Sequence, residues 1–167
     1  MSLDHALDWL YAAPIAALLR ENALLFPWVE CMHVLSFTLV VGSISIVDLR
    51  LLGWASRERS VDQVCASVLP VTWIAFGLAV LTGSLLFASN AVEYAQNFYF
   101  RLKLALIFLA GINMIVFHLL VNPGANRRAA ADRTALSDRI VGGFSIAVWV
   151  AVVACGRWIG YTMTGGG

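Results

Sequence analysis

The chain has 167 residues, 60% hydrophobic and 13% charged, where a soluble domain carries about 25% charged residues. Its net charge of +1 and the lack of a basic patch interleaved with aromatics exclude a nucleic-acid partner. The charges stand between long apolar runs, which is the pattern of an integral membrane protein with room for one compact bundle and no separate soluble domain.

Residues 1–22 predict an amphipathic helix. Leu3, Leu7, Leu10, Ile15 and Leu18 share a face, interrupted near Pro14, and such a helix is expected to lie on the membrane surface. Asp4 and Asp8 open the chain where a secretory signal needs basic residues, so the first membrane helix is expected to persist in the mature protein.

Four apolar runs follow, at residues 24–52, 68–88, 102–121 and 140–162. Each meets the roughly 20 residues a helix needs to cross the hydrocarbon core, and an open sheet would leave its backbone groups unsatisfied in lipid. The predicted fold class is therefore an all-α membrane protein, a four-transmembrane-helix bundle with an N-terminal interfacial helix. Pro27 stands at the entry of the first run and Pro70 near the start of the second, where a missing N–H costs least, and Asn122, Pro123 and Gly124 end the third. Arg50, Arg57, Arg59, Arg127, Arg128, Arg133 and Arg139 flank one side of the membrane, against Arg20, Arg101, Lys103 and Arg157 on the other. This bias places both termini in the periplasm of a bacterial inner membrane. Trp9, Trp28, Trp54, Trp158 and Tyr161 fall near the predicted interfaces as an aromatic belt. Cys31, Cys65 and Cys155 form no metal-finger spacing and no disulfide framework, and read as small packing residues.

Inside a bilayer the expensive residues carry the information. Glu30 and His33 stand three apart on the first helix, and Phe37, Ile44 and Asp48 continue the stripe, so it is expected to face protein. Arg157 on the antiparallel fourth helix falls at nearly the depth of Glu30, which predicts an ion pair; the competing reading is that both heads reach the outer interface separately. Asp48 is expected to pair with Arg50 or Arg139. His33 is the deepest of the outer polar residues. One ring nitrogen oriented by Glu30 and the other facing a ligand would make it the axial ligand of a haem b, with Arg157 placed for a propionate. His118 is the other membrane histidine, but it lies about seven to nine residues deeper, roughly 10–14 Å along the normal, too far for a comfortable bis-histidine site. The second coordination position is then expected to stay open or to be filled from another protomer or a partner. Copper at His33, or no cofactor and a hydrogen-bonded packing histidine, are the alternatives. The single Glu-x-x-His has too few companion acids for a di-iron centre. On the fourth helix Gly142, Ser145, Trp149, Gly156 and Gly160 form a mostly small face suited to close packing, and Asn113 is expected to bond a neighbouring helix.

These residues also carry a resemblance. Trp28 to His33, the Asp-Leu-Arg-Leu-Leu-Gly stretch from Asp48 to Gly53, Ser89 to Tyr94 with Asn97, Phe100 and Lys103, then Ser145, Trp149 and Gly156 to Gly160 resemble a family of small bacterial four-helix inner-membrane proteins defined as a domain of unknown function. The resemblance covers nearly the whole chain and implies the fold and the membrane location, and no activity. The layout is also similar to four-helix b-type cytochromes and to copper-resistance membrane domains, from which it departs in the unmatched depth of its histidines.

Three functions compete on this reading. The first is a membrane redox or cofactor-binding subunit performing electron transfer at His33. The second is a non-catalytic scaffold docking a periplasmic or membrane partner, or a second copy of itself. The third is a small carrier or channel, for which the broken helices and repeat symmetry of transporters are missing. No nucleophile–base set is legible, so catalysis by this chain alone is not expected.

Overall fold

The computed structural model describes residues 3–54, 61–117 and 136–164. In chain order the helices are α1 (Leu3–Tyr11), α2 (Pro14–Glu21), α3 (Leu25–Leu51), α4 (Val61–Ser89), α5 (Ala91–Gln96), α6 (Phe98–Val116) and α7 (Leu136–Thr164). Four of them, α3, α4, α6 and α7, are long and apolar enough to cross a membrane. Their exposed faces carry large apolar side chains such as Val34, Ile74, Phe108 and Val150, a surface that belongs in a lipid bilayer.

α3 packs most extensively on α4 and also on α7, and α7 packs on α6. The bundle thus runs α4–α3–α7–α6, and α4 also meets α6, where the rings of Phe87 and Phe100 stack 5.3 Å apart. Val40, Ala75, Ala110, Val148, Trp149 and Val152 bury the centre, with Phe37 and Ile44 of the polar stripe packed against them as expected. A second cluster of Leu51, Cys65 and Phe117 closes the end away from the chain termini.

The helix ends have local causes. Asn97 caps α6: its side chain accepts from the N–H groups of Tyr99 and Phe100 at 2.9 and 3.2 Å, satisfying donors that a helix start leaves free. The same amide donates to Thr162 Oγ1 at 2.8 Å and so ties the start of α6 to the end of α7. α3 ends on Gly53, whose φ of 77° is the left-handed conformation glycine adopts without strain. Gly53 N–H bonds Arg50 O, and Trp54 N–H bonds Leu49 O, each at 3.0 Å. These two bonds close a Schellman turn, so the glycine of the Asp48–Gly53 motif is a helix stop.

One expectation is corrected. Pro70 lies inside α4 rather than near its start, because the helix begins at Val61, well before the apolar run. Val64 and Cys65 in that extension are buried, and this packing offsets the helix bond that Pro70 cannot donate. The N-terminal segment breaks at Pro14, and its halves pack on the end of the bundle. α2 packs on α4 and α1 on α5, with Ala16 and Leu19 buried. Arg20 Nη1 donates to Ser89 O at 3.1 Å, and its guanidinium lies 3.8 Å from the centre of the Tyr11 ring. The N-terminal helices therefore cap the end of the bundle where α3 begins and α4 ends.

Candidate functional site

The deepest polar contact at the capped end is between α3 and α4. His33 Nδ1 lies 3.0 Å from Ala79 O and 3.1 Å from Thr82 Oγ1. A carbonyl only accepts, so the proton sits on Nδ1 and is donated to Ala79. Thr82 spends its own hydroxyl proton on Leu78 O at 2.7 Å, which leaves its oxygen free to accept a share of the same N–H. In a neutral imidazole this tautomer leaves the lone pair on Nε2.

Gly83 makes room for the ring. A Cβ at that position would stand 2.9 Å from His33 Cε1 and 3.3 Å from Nδ1, too close for any larger residue. On its other side the imidazole stacks towards Phe37, 6.4 Å between centroids and 19° between planes, and Phe37 in turn meets Trp149 at 6.1 Å.

Lys103 completes the site from α6, and sequence reading missed it. Its Nζ lies 5.2 Å from the centre of the Phe37 ring, a cation–π contact, and it acts electrostatically on His33. A Cβ on Gly156 would stand 3.7 Å from that Nζ, so the small face of α7 accommodates the lysine here. The signal was present, since a lysine within an apolar run is costly unless it points inward. Its place at the start of an apolar run makes it read as a flanking charge.

Several of the remaining residues are placed differently from expectation. Glu30 is exposed and does not orient His33, which takes its partners from α4. Its electrostatic neighbour is Tyr94 on α5, whose phenol is pushed above its usual value by burial, then by Glu30 and Glu93. Tyr94 packs with Phe87 and Phe100 in an aromatic cluster, its ring 5.3 Å from that of Phe100. Arg157 is exposed and lies along its own helix, donating to Tyr161 Oη at 3.3 Å with its guanidinium 5.0 Å from the ring centre. The expected Glu30–Arg157 pair is not formed, and both side chains are exposed, as in the reading in which each head reaches the interface separately. Asp48 is faced by Ser145 of α7 rather than by an arginine. Asn113 bonds its neighbour as expected, Nδ2 to Val141 O at 3.4 Å. His118 lies outside the described residues. Among the described residues no three His, Cys, Asp or Glu side chains come together as a metal cluster.

No curated protein and no solved structure matches this chain. A family model does match it, over residues 22–162, a span that holds every site residue described above. On that match the chain belongs to the family of unknown function DUF6644.

Proposed function

We propose that this chain is a membrane-embedded cofactor-binding subunit with His33 as the ligating residue. One observation carries the reading: Nδ1–H is held by Ala79 O and Thr82 Oγ1, which leaves Nε2 as the nitrogen with an available lone pair. Metal-bound histidines are oriented in this way, with one ring N–H on a backbone carbonyl and the other nitrogen on the metal. Lys103, rather than Arg157, is the cation beside the ring and suits an anionic group of the cofactor. Haem b, an iron porphyrin with two propionates, matches this pair of an imidazole and a nearby cation. Bound there it would supply one-electron redox chemistry. The chain's own residues hold the imidazole in one tautomer, offer a counter-charge and keep the surroundings apolar. A further ligand would come from a second protomer or a partner protein.

The excess of arginine on the side of residues 50–59 and 127–139 supports a bacterial inner membrane with both termini periplasmic. Reporter fusions at the C-terminus and beside Arg128 should then report opposite sides, the C-terminal one periplasmic.

Absorption spectra of the purified protein, oxidised and then dithionite-reduced, test the cofactor. A Soret band with sharp reduced α and β bands, abolished in His33→Ala and weakened in Lys103→Met, is expected. A colourless, metal-free wild-type protein purified from haem-replete cells would overturn the proposal.

A scaffold reading has its own support in α6. Ala110 is that helix's one buried residue, and Leu104, Phe108 and Ile115 are exposed, a face available to a partner helix or a second copy.

A further inference from the structure

At the end of the bundle opposite the cap, all four long helices enclose a cavity of about 320 Å³. Its walls include Ile44, Trp73, Phe76, Phe117 and Trp149. The volume falls within the roughly 300–1,000 Å³ of small-molecule sites. It lies away from His33, which is not among its lining residues.

One polar group in that wall is unsatisfied. Asp48 is only 4% exposed, lines the cavity, and its Oδ2 has no hydrogen-bond partner, alone among the buried side-chain polar atoms of the described residues. The hydroxyl and amide residues of the wall each have a neighbour within the protein. Thr72 Oγ1 donates towards Ser43 Oγ and Val68 O at 2.8 and 3.0 Å. Asn113 Nδ2 donates to Val141 O, and Ser145 faces the Asp48 carboxyl. A buried, unpartnered carboxyl oxygen is costly. Water is a poor answer in so apolar a space, because each buried water needs two to four polar partners.

The route in is lateral. α4 and α6 flank the cavity, both contributing to its wall; their backbones approach less closely than those of the other neighbouring long helices, and their stacked rings, Phe87 and Phe100, are not part of that wall. An occupant can therefore arrive from the bilayer. It must be mostly apolar, flat enough to lie among Trp73, Phe76 and Trp149, and it must carry one hydrogen-bond donor for Asp48.

We infer that this cavity is a binding site for a membrane-borne hydroxylated aromatic ring, of the quinol class, with its hydroxyl donated to Asp48 Oδ2. The site stands whether or not His33 binds a cofactor, since the two share no residue except Trp149 at their border. An ionised carboxyl accepts from a quinol hydroxyl, and a neutral one donates to a quinone carbonyl, so both oxidation states of such a ring find a partner.

The test is equilibrium binding to the wild-type protein in lipid nanodiscs, using decyl-benzoquinol and its dimethyl ether. Tryptophan fluorescence is the readout, and Trp73→Phe locates the signal. Saturable quenching by the quinol is expected, with the ether, which lacks the donor, weaker by about tenfold, the worth of one such hydrogen bond. Asp48→Leu should weaken quinol binding by a similar factor. Gly111→Leu is the independent variant: Gly111 lines the cavity, and a Cβ there meets nothing within 4 Å. The larger side chain can therefore occupy the space without a clash and should abolish quinol binding with an unchanged melting temperature. Equal, non-saturable quenching by quinol and ether would overturn the inference. So would a long-chain alkylamine that displaces the quinol at lower concentration, or wild-type quinol affinity in Gly111→Leu.

Discussion

His33 and Asp48 stand on one helix, about 22 Å apart along its axis at 1.5 Å per residue, and the bundle treats them in opposite ways. At the capped end the imidazole N–H is taken up by a backbone carbonyl and a threonine of α4, and a glycine gives the ring its place. At the other end the helices separate enough to leave a cavity, and one oxygen of the Asp48 carboxyl has no partner. His33 is thus held in one orientation by the protein itself, and Asp48 is left with capacity that only another molecule can meet. In an apolar medium, satisfaction within the protein yields rigidity, whereas an unmet group marks a place where binding can repay a cost already incurred in folding.

The largest effects should come from the glycines that set the two helix crossings. A Cβ on Gly142 would meet the Asp48 carbonyl oxygen and Leu51 Cβ, both at 2.9 Å. Backbone cannot yield as a side chain can, so Gly142→Leu is expected to destabilise by about 3 kcal/mol in a denaturant titration in detergent. At Gly83 the obstacle is the His33 ring. Gly83→Leu is expected to cost less, about 2 kcal/mol, while displacing the imidazole and removing any cofactor spectrum. If Gly83→Leu proved the more damaging, the view of the α3–α7 crossing as the tighter one would fail.

The polar partners come next. Ser145→Ala removes the hydroxyl that faces an already under-satisfied carboxyl and should cost about 2 kcal/mol. Thr82→Val leaves His33 its bond to Ala79 O and should cost about 1 kcal/mol or less. Equal costs would erase the contrast between the two ends.

Smaller still is the expected change in Asp48→Leu. Replacing an unsatisfied polar group by an apolar one of similar size is near neutral or stabilising, so a change within about 1 kcal/mol is expected, and a large loss would mean that Asp48 holds the fold together. Tyr94 gives the mildest effect. Its raised phenol, shifted by burial first and then by Glu30 and Glu93, means that the folded state favours the protonated ring. That contribution is whole below the ordinary tyrosine pKa of about 10 and is lost as the pH climbs through the raised value. Tyr94→Phe should remove this alkaline loss, as phenolate absorbance and unfolding measured across the same pH range would reveal.

Much of the architecture was legible in the residue order, because its causes are local. Run length and hydropathy decide which segments can cross a bilayer, and four such helices are present. The break at Pro14, the packing of Phe37 and Ile44 and the bond made by Asn113 follow from helical periodicity and from the cost of a bare polar group in lipid. The choice of partners was not legible. Whether Glu30 meets Arg157 or Tyr94, whether Asp48 meets an arginine or Ser145, and whether Lys103 faces water or Phe37 depend on the rotation of each helix about its axis and on the angle at which it crosses its neighbour. Those angles are set by contacts summed over whole faces, such as Gly142 on the α3 backbone and Gly83 under His33. A rotation that repacks dozens of weak contacts outweighs any single ion pair. For the same reason the sequence alone determined that polar side chains stand inside this membrane protein, and only the tertiary structure decided that one is held by its neighbours while another lines a cavity.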